Sequence, residues 1–280
     1  MDHFFSSQHI WLKSLPRTEF WDQFFLFCNY FDTLYFPLIL IPFIWFGISR
    51  KWGIRIFYLL ALSGFINLIG KALFELPRPG LIEPELSLIK ITHSYGFPSG
   101  AAQTAIFLGC LLLRLFPTLR AYFVAIIYVL TISFSRLYLK VHYPIDILGG
   151  WTLGLLGFWF YAKKERSLDH FLQKRQPWSL GMLGLLFPLT LIFLYYHPAN
   201  LQIMIGTIGV TTGLLIFPSD PFYQPKLIKG LLAVFLVFLV AIGLKAFSVP
   251  IYWSSFFLGF WIAGITPLFF ARNRTYLKKV

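Results

Sequence analysis

Nine runs of apolar residues, at 30–48, 56–75, 98–116, 120–138, 144–162, 178–196, 200–217, 227–247 and 251–271, dominate this sequence. Each is close to the ~20 residues a helix needs to cross the hydrocarbon core of a bilayer. Backbone N–H and C=O groups find no water there, so such a run folds as a helix that satisfies them internally. The expected fold is therefore all-α: a polytopic membrane bundle of about nine transmembrane helices around a core of about five to six. Composition agrees, with 58% hydrophobic, 20% aromatic and 12% charged residues and a mean hydropathy of +0.71. A formal charge of +13 invites a nucleic-acid reading. The Lys and Arg residues, however, lie in short clusters between apolar runs, which is the positive-inside pattern. The lipid bilayer is the expected partner, and nucleic acid is not.

The same clusters organise the chain. Residues 1–29 mix Phe and Trp with Asp2, Lys13, Arg17, Glu19 and Asp22. They read as an interfacial segment rather than a signal peptide, because no compact apolar stretch precedes a small-residue cleavage site. Residues 30–162 form the expected membrane core, 163–177 a basic cytoplasmic loop, and 178–280 additional C-terminal transmembrane helices. Gly209 and Gly213 form a small-xxx-small pair in that last part, which reads as helix packing. Cys28 and Cys110 have no metal-type spacing, so neither a disulfide framework nor a metal site is expected. If the N-terminus lies outside, the basic loops fall on the inner side and the loops 76–97 and 139–143 on the outer side.

Three features of the outer side carry chemistry. In KALFELPRPG, Lys71 closes the second run and Arg78 follows seven residues later, past Pro77. In YGFPSGAAQ, Pro98 suits a first helical turn, and Ser99, Gly100 and Ala101 are expected to present free N–H groups to an anion. In SRLYLKVHYPIDILGG, Asp146 is the only acid between Glu85 and Glu165, at the mouth of an apolar run. A carboxylate there needs a partner, and His142 stands four residues before it. A carboxylate on one imidazole nitrogen fixes the tautomer and frees the other nitrogen as base or nucleophile. Arg136 adds a planar fork suited to phosphate oxygens. Together these residues describe an oxyanion pocket that holds a nucleophile.

The three motifs resemble the signatures KxxxxxxRP, PSGH and SRxxxxxHxxxD of the type 2 phosphatidic acid phosphatase superfamily. Lys71, Arg78 and Pro79 match the first, and Ser135, Arg136, His142 and Asp146 the third. YGFPSG, RLYLKVHYPIDILGG and the extra C-terminal runs are similar to its sphingosine-1-phosphate phosphatase-like bacterial branch. The resemblance implies metal-independent dephosphorylation of a membrane lipid phosphate, without a cofactor, in an inner (plasma) membrane with the site facing the periplasm or exterior. His142 would be the nucleophile, Asp146 its orienter, and Lys71, Arg78, Ser99, Gly100 and Arg136 the phosphate cradle.

Ala101 departs from the signature, standing where the family has its general-acid histidine. A methyl group donates no proton, and general acid assistance contributes about 10²–10⁴-fold. Three readings stay open: a disabled engineered variant, a natural variant in which His93 is the substitute acid, and a pyrophosphate substrate whose leaving group needs less protonation. A non-catalytic lipid-phosphate binder or transporter and a lipid phosphotransferase are the rival functions. The orientation is tested by labelling: cysteines placed at 85 and 93 should react with impermeant thiol reagents from outside, and one at 169 should not. The reverse pattern overturns it.

Overall fold

The computed structural model describes residues 2–33, 35–90, 95–217 and 225–270. Among these residues every regular element is helical, in the order α1 (Asp2–Ser14), α2 (Glu19–Cys28), α3 (Tyr35–Phe43), α4 (Arg50–Phe74), the single turn α5 (Pro79–Ile82), α6 (Gly100–Leu115), α7 (Leu119–Tyr138), α8 (Pro144–Gln173), α9 (Pro177–Leu194), α10 (Pro198–Ile216), α11 (Leu227–Ala246), α12 (Ile251–Phe260) and α13 (Thr266–Phe270). Helices α4, α7, α8, α10, α11 and the stretch Ile251–Phe270 are long and apolar enough to cross a membrane. The pair Glu19–Asp32 and Tyr35–Ile48 makes a seventh if it is one span, and α6 and α9 are shorter apolar helices. Among the described residues the nine apolar runs are helical, but where about nine spans are expected, six helices, or seven with the bent pair, reach spanning length.

Local chemistry sets the ends. Thr118 caps α7 by accepting from Ala121 N at 3.3 Å, and Ser99 caps α6 by accepting from Ala102 N at 3.5 Å. Proline opens α8, α9 and α10, where its missing N–H costs nothing. The basic segment expected as a loop from residue 163 is instead helical as far as Gln173. Its acidic residues are held there by pairing: Glu165 with Arg114 at 3.1 Å, and Asp169 with Lys51 at 3.0 Å and with Arg55.

The chain packs as two compact units. The first comprises Met1–Phe36 and Ser63–Leu168, and the second Pro37–Leu62 and Asp169–Val280. Residues 37–62, expected within the 30–162 core, therefore group with the C-terminal helices. In the second unit Lys226 N donates to Phe46 O at 3.1 Å, and Trp45, Phe46, Val210, Ala233, Val237 and Ile262 form one apolar core. Gly209 meets the backbone of Phe256 and Gly213 that of Gly264, so the small pair serves close helix packing.

The first unit carries every motif residue, and here α1 sits on the loop before α8. Gln8 Oε1 accepts from Ile145 N at 3.2 Å, and His9 Nδ1 lies 3.1 Å from the Tyr143 hydroxyl. Glycines let α8 approach the start of α6: a Cβ at Gly150 would lie 2.5 Å from Ser99 O and 3.1 Å from Ala102 Cβ. Gly150→Val should accordingly lower the thermal stability of the purified protein, by about 1–3 kcal/mol. Gly243→Val is the control, since among the described residues nothing lies within 4 Å of a Cβ there. Equal melting of the two variants would contradict the close approach.

Candidate active site

The site grows from the two helix starts that Gly150 brings together. Ser99 N donates to Asp146 O at 2.9 Å, which ties the cap of α6 to the first turn of α8. This revises two expectations. The Ser99 N–H is already bonded, and Pro98 precedes the cap instead of occupying the first turn. Gly100 and Ala101 keep the N–H groups that an α-helix leaves unpaired at its start. Gly100 has its reason in packing, as a Cβ there would lie 3.2 Å from Asn67 Oδ1. A buried amide chain holds this turn in place. Asn67 Nδ2 donates to Pro98 O at 3.2 Å and to Gln103 Oε1 at 2.8 Å, and Gln103 Nε2 donates to Ser63 Oγ at 2.8 Å.

Asp146 is fully buried. Its Oδ2 lies 3.2 Å from His142 Nδ1 and accepts from Tyr143 N at 2.8 Å, while Oδ1 has no hydrogen-bond partner among the described residues. The pairing expected from the four-residue spacing is present, on the turn that Pro144 leads into α8. A carboxylate at Nδ1 selects the tautomer with its proton on Nδ1, so Nε2 carries the lone pair. Burial holds the His142 imidazole well below its ordinary range, helped by the positive charges of Arg78, Lys71 and Arg136. All three expected cations therefore act on one ring.

Lys71 Nζ donates to Tyr95 O at 2.8 Å and to Gly96 O at 3.3 Å, and Arg78 Nε donates to Tyr95 O at 3.3 Å. Both cations thus meet the Tyr95 carbonyl oxygen, and Lys71 also reaches the neighbouring Gly96 carbonyl. Gly96 has no side chain for a physical reason: a Cβ there would lie 2.9 Å from Asp146 Oδ2 and 3.1 Å from Pro77 O. Arg136, in the last turn of α7, is 1% exposed. Its partners are Ser135 Oγ at Nε, 3.0 Å, and Asn29 Oδ1 and Asp32 Oδ2 at Nη1, 2.8 and 3.1 Å.

Sequence reasoning missed Asn29 and Asp32. The signal was an acid at the mouth of the first apolar run, the same one that singled out Asp146. Ala101 packs in an apolar cluster with Phe25, Cys28, Ala105, Ile132 and Leu139. His93, the candidate substitute acid, lies outside the described residues.

Fold and site define an integral membrane helical protein with a buried His–Asp pair, three cations and a helix start in one place. Residues 52–167 match the model of the PAP2 superfamily. It is 29% identical over 107 residues to an undecaprenyl-diphosphatase of Sulfolobus acidocaldarius, covering 38% of this chain and 52% of that protein. Phosphatidylglycerophosphatase B of Bacillus subtilis is 29% identical over 102 residues, 33% of this chain and 50% of that protein. Dihydrosphingosine 1-phosphate phosphatase of Saccharomyces cerevisiae is 25% identical over 224 residues, 72% and 54% respectively. The chain spans about half the length of these curated relatives.

The lowered His142 pKa has a measurable sign. The folded protein binds this proton more weakly than the unfolded chain. Its contribution to stability is therefore complete above about pH 6.5 and is lost as pH falls towards the folded value. In a ¹⁵N-histidine titration the ring removed by His142→Gln should titrate below about 6.5. A midpoint at or above that value contradicts the charge environment described.

Proposed function

We propose that the protein removes phosphate from a membrane lipid phosphate or pyrophosphate, without a metal, through a phosphohistidine on His142. The observation that carries the reading is the buried His142–Asp146 pair set among Lys71, Arg78 and Arg136. A binding protein needs the cations but has no use for an oriented, uncharged imidazole. The relatives support the lipid substrate class, being a lipid diphosphatase and phosphatases of glycerophospholipid and sphingoid phosphates by name.

In this mechanism the His142 Nε2 lone pair attacks phosphorus, and the phosphorus–oxygen bond to the lipid breaks with its electron pair passing to the lipid oxygen. Asp146 holds Nδ1 and stabilises the charge that forms on the ring. Lys71, Arg78 and Arg136, with the N–H groups at Gly100 and the Ser99 hydroxyl, take the equatorial oxygens, which is where phosphoryl transfer gathers its charge. Water then attacks the phosphohistidine, releasing inorganic phosphate and restoring the ring. Ala101 supplies no proton to the departing oxygen, so solvent protonates an alkoxide, whereas a departing lipid phosphate leaves as a stable anion. The site faces the exterior side of a plasma membrane, as the Lys and Arg distribution indicates.

Phosphate release from a panel of lipid phosphates, with acid-labile phosphohistidine trapped in parallel, tests this reading. His142→Ala should abolish both signals. Ala101→His should raise phosphomonoester turnover by about 10²-fold and pyrophosphate turnover by less. The new ring must also find room among Phe25, Cys28 and Ile132. Undiminished release by His142→Ala, or lipid phosphates that bind without turnover in every variant, would remove the enzyme reading in favour of a binder.

A further inference from the structure

The Arg136 guanidinium is held on two of its three nitrogens and bare on the third. Nε meets Ser135 Oγ, Nη1 meets both Asn29 and Asp32, and Nη2 is buried with no hydrogen-bond partner among the described residues. A buried N–H left unpaired is costly, so an otherwise tethered fork with one bare nitrogen marks where a ligand oxygen fits. The tether has a local cause. Asn29 and Asp32 are the ends of a single 3₁₀ turn, Asn29–Asp32, in which side chains three residues apart eclipse and reach the same point. That turn is anchored by Cys28, which packs in the cluster containing Ala101, and by Phe31, whose ring lies 6.1 Å from that of Tyr128.

We propose that Asn29 and Asp32 are positioning residues of the phosphate pocket, gripping Nη1 of Arg136 so that Nη2 is the nitrogen presented to a phosphate oxygen. The inference rests on the phosphate-transfer reading above and adds to it two residues from outside the matched stretch 52–167. Asp32 acts in a second way. Its side chain, 38% exposed, brings a negative charge to a pocket of three cations. It also opposes the burial that pulls Arg78 below its ordinary value. The carboxylate reduces the repulsion of the unliganded pocket and still leaves the substrate-facing nitrogen open.

The test uses the full chain in detergent, with inorganic phosphate as the probe by titration and as a competitive inhibitor of lipid phosphate hydrolysis. Asp32→Ala should weaken phosphate about tenfold, the size of one charge-assisted hydrogen bond, and should raise KM more than it lowers kcat. Asp32→Asn keeps an acceptor oxygen in a side chain of the same shape and should stay within about threefold of wild type. In an Arg136→Ala background Asp32→Ala should bring no further loss of phosphate affinity, because the positioning acts through that one guanidinium. Additive losses in that cycle overturn the proposal. So does an Asp32→Asn variant that loses kcat as severely as Asp32→Ala with an altered pH profile, which would make Asp32 a proton carrier. Failure of the wild-type protein to bind phosphate at all overturns the pocket reading itself, whatever the Asp32 variants do.

Discussion

One buried carboxylate organises the first unit. Asp146 has no exposed surface, and an ionised group in that position persists only if several donors share it. It receives the His142 ring and the Tyr143 N–H at one oxygen, while its own backbone carbonyl takes the Ser99 N–H. The residue that orients the candidate nucleophile thus also locks together the two helix starts that frame it. Chemistry and folding draw here on the same hydrogen bonds, so a fault in the frame and a fault in the imidazole are not separable at this residue.

The arrangement needs close approach as well as charge. Gly150 lets α8 reach the Ser99 carbonyl, and Gly96 lets the backbone pass between Asp146 and Pro77. Three cations can then gather around a neutral imidazole. Burial first, and then the charges of Arg78, Lys71 and Arg136, keep the ring uncharged, so under the proposed function the cations that would meet the anion also help to keep the lone pair available.

Much of this was legible in the sequence where a residue type is costly in its setting. Apolar runs identified the helices, because lipid leaves the backbone no other solution. Asp146 and His142 are legible because an acid at the mouth of an apolar run demands a partner, and His142 stands one turn away in sequence. Asp32 carried the same signal and was overlooked, because its partner Arg136 is 104 positions distant and periodicity carries no information about such pairs. The role of Pro98 was misplaced by two residues, since Ser99 is the better cap and wins the position. The helical 163–173 segment is hidden from the sequence because the partners of its acids, Arg114, Lys51 and Arg55, are remote in sequence.

The amide chain beneath the site follows a spacing on α4. Ser63, Asn67 and Lys71 stand four residues apart, and the first two meet Gln103 and the Pro98 carbonyl while the third reaches Gly96. Gly70 lies on the same stripe, where a Cβ would stand 3.0 Å from Pro98 Cδ. Four successive anchor points on one face make α4 a toothed rack against the strand of chain that leads into α6. Such a rack has one seating. Inserting a single residue between Asn67 and Lys71 would turn the ammonium group by about 100° and lift it by about 1.5 Å, away from the carbonyls it now holds. Length variation in this helix is therefore confined to steps of roughly a whole turn, even where every individual residue type could be exchanged.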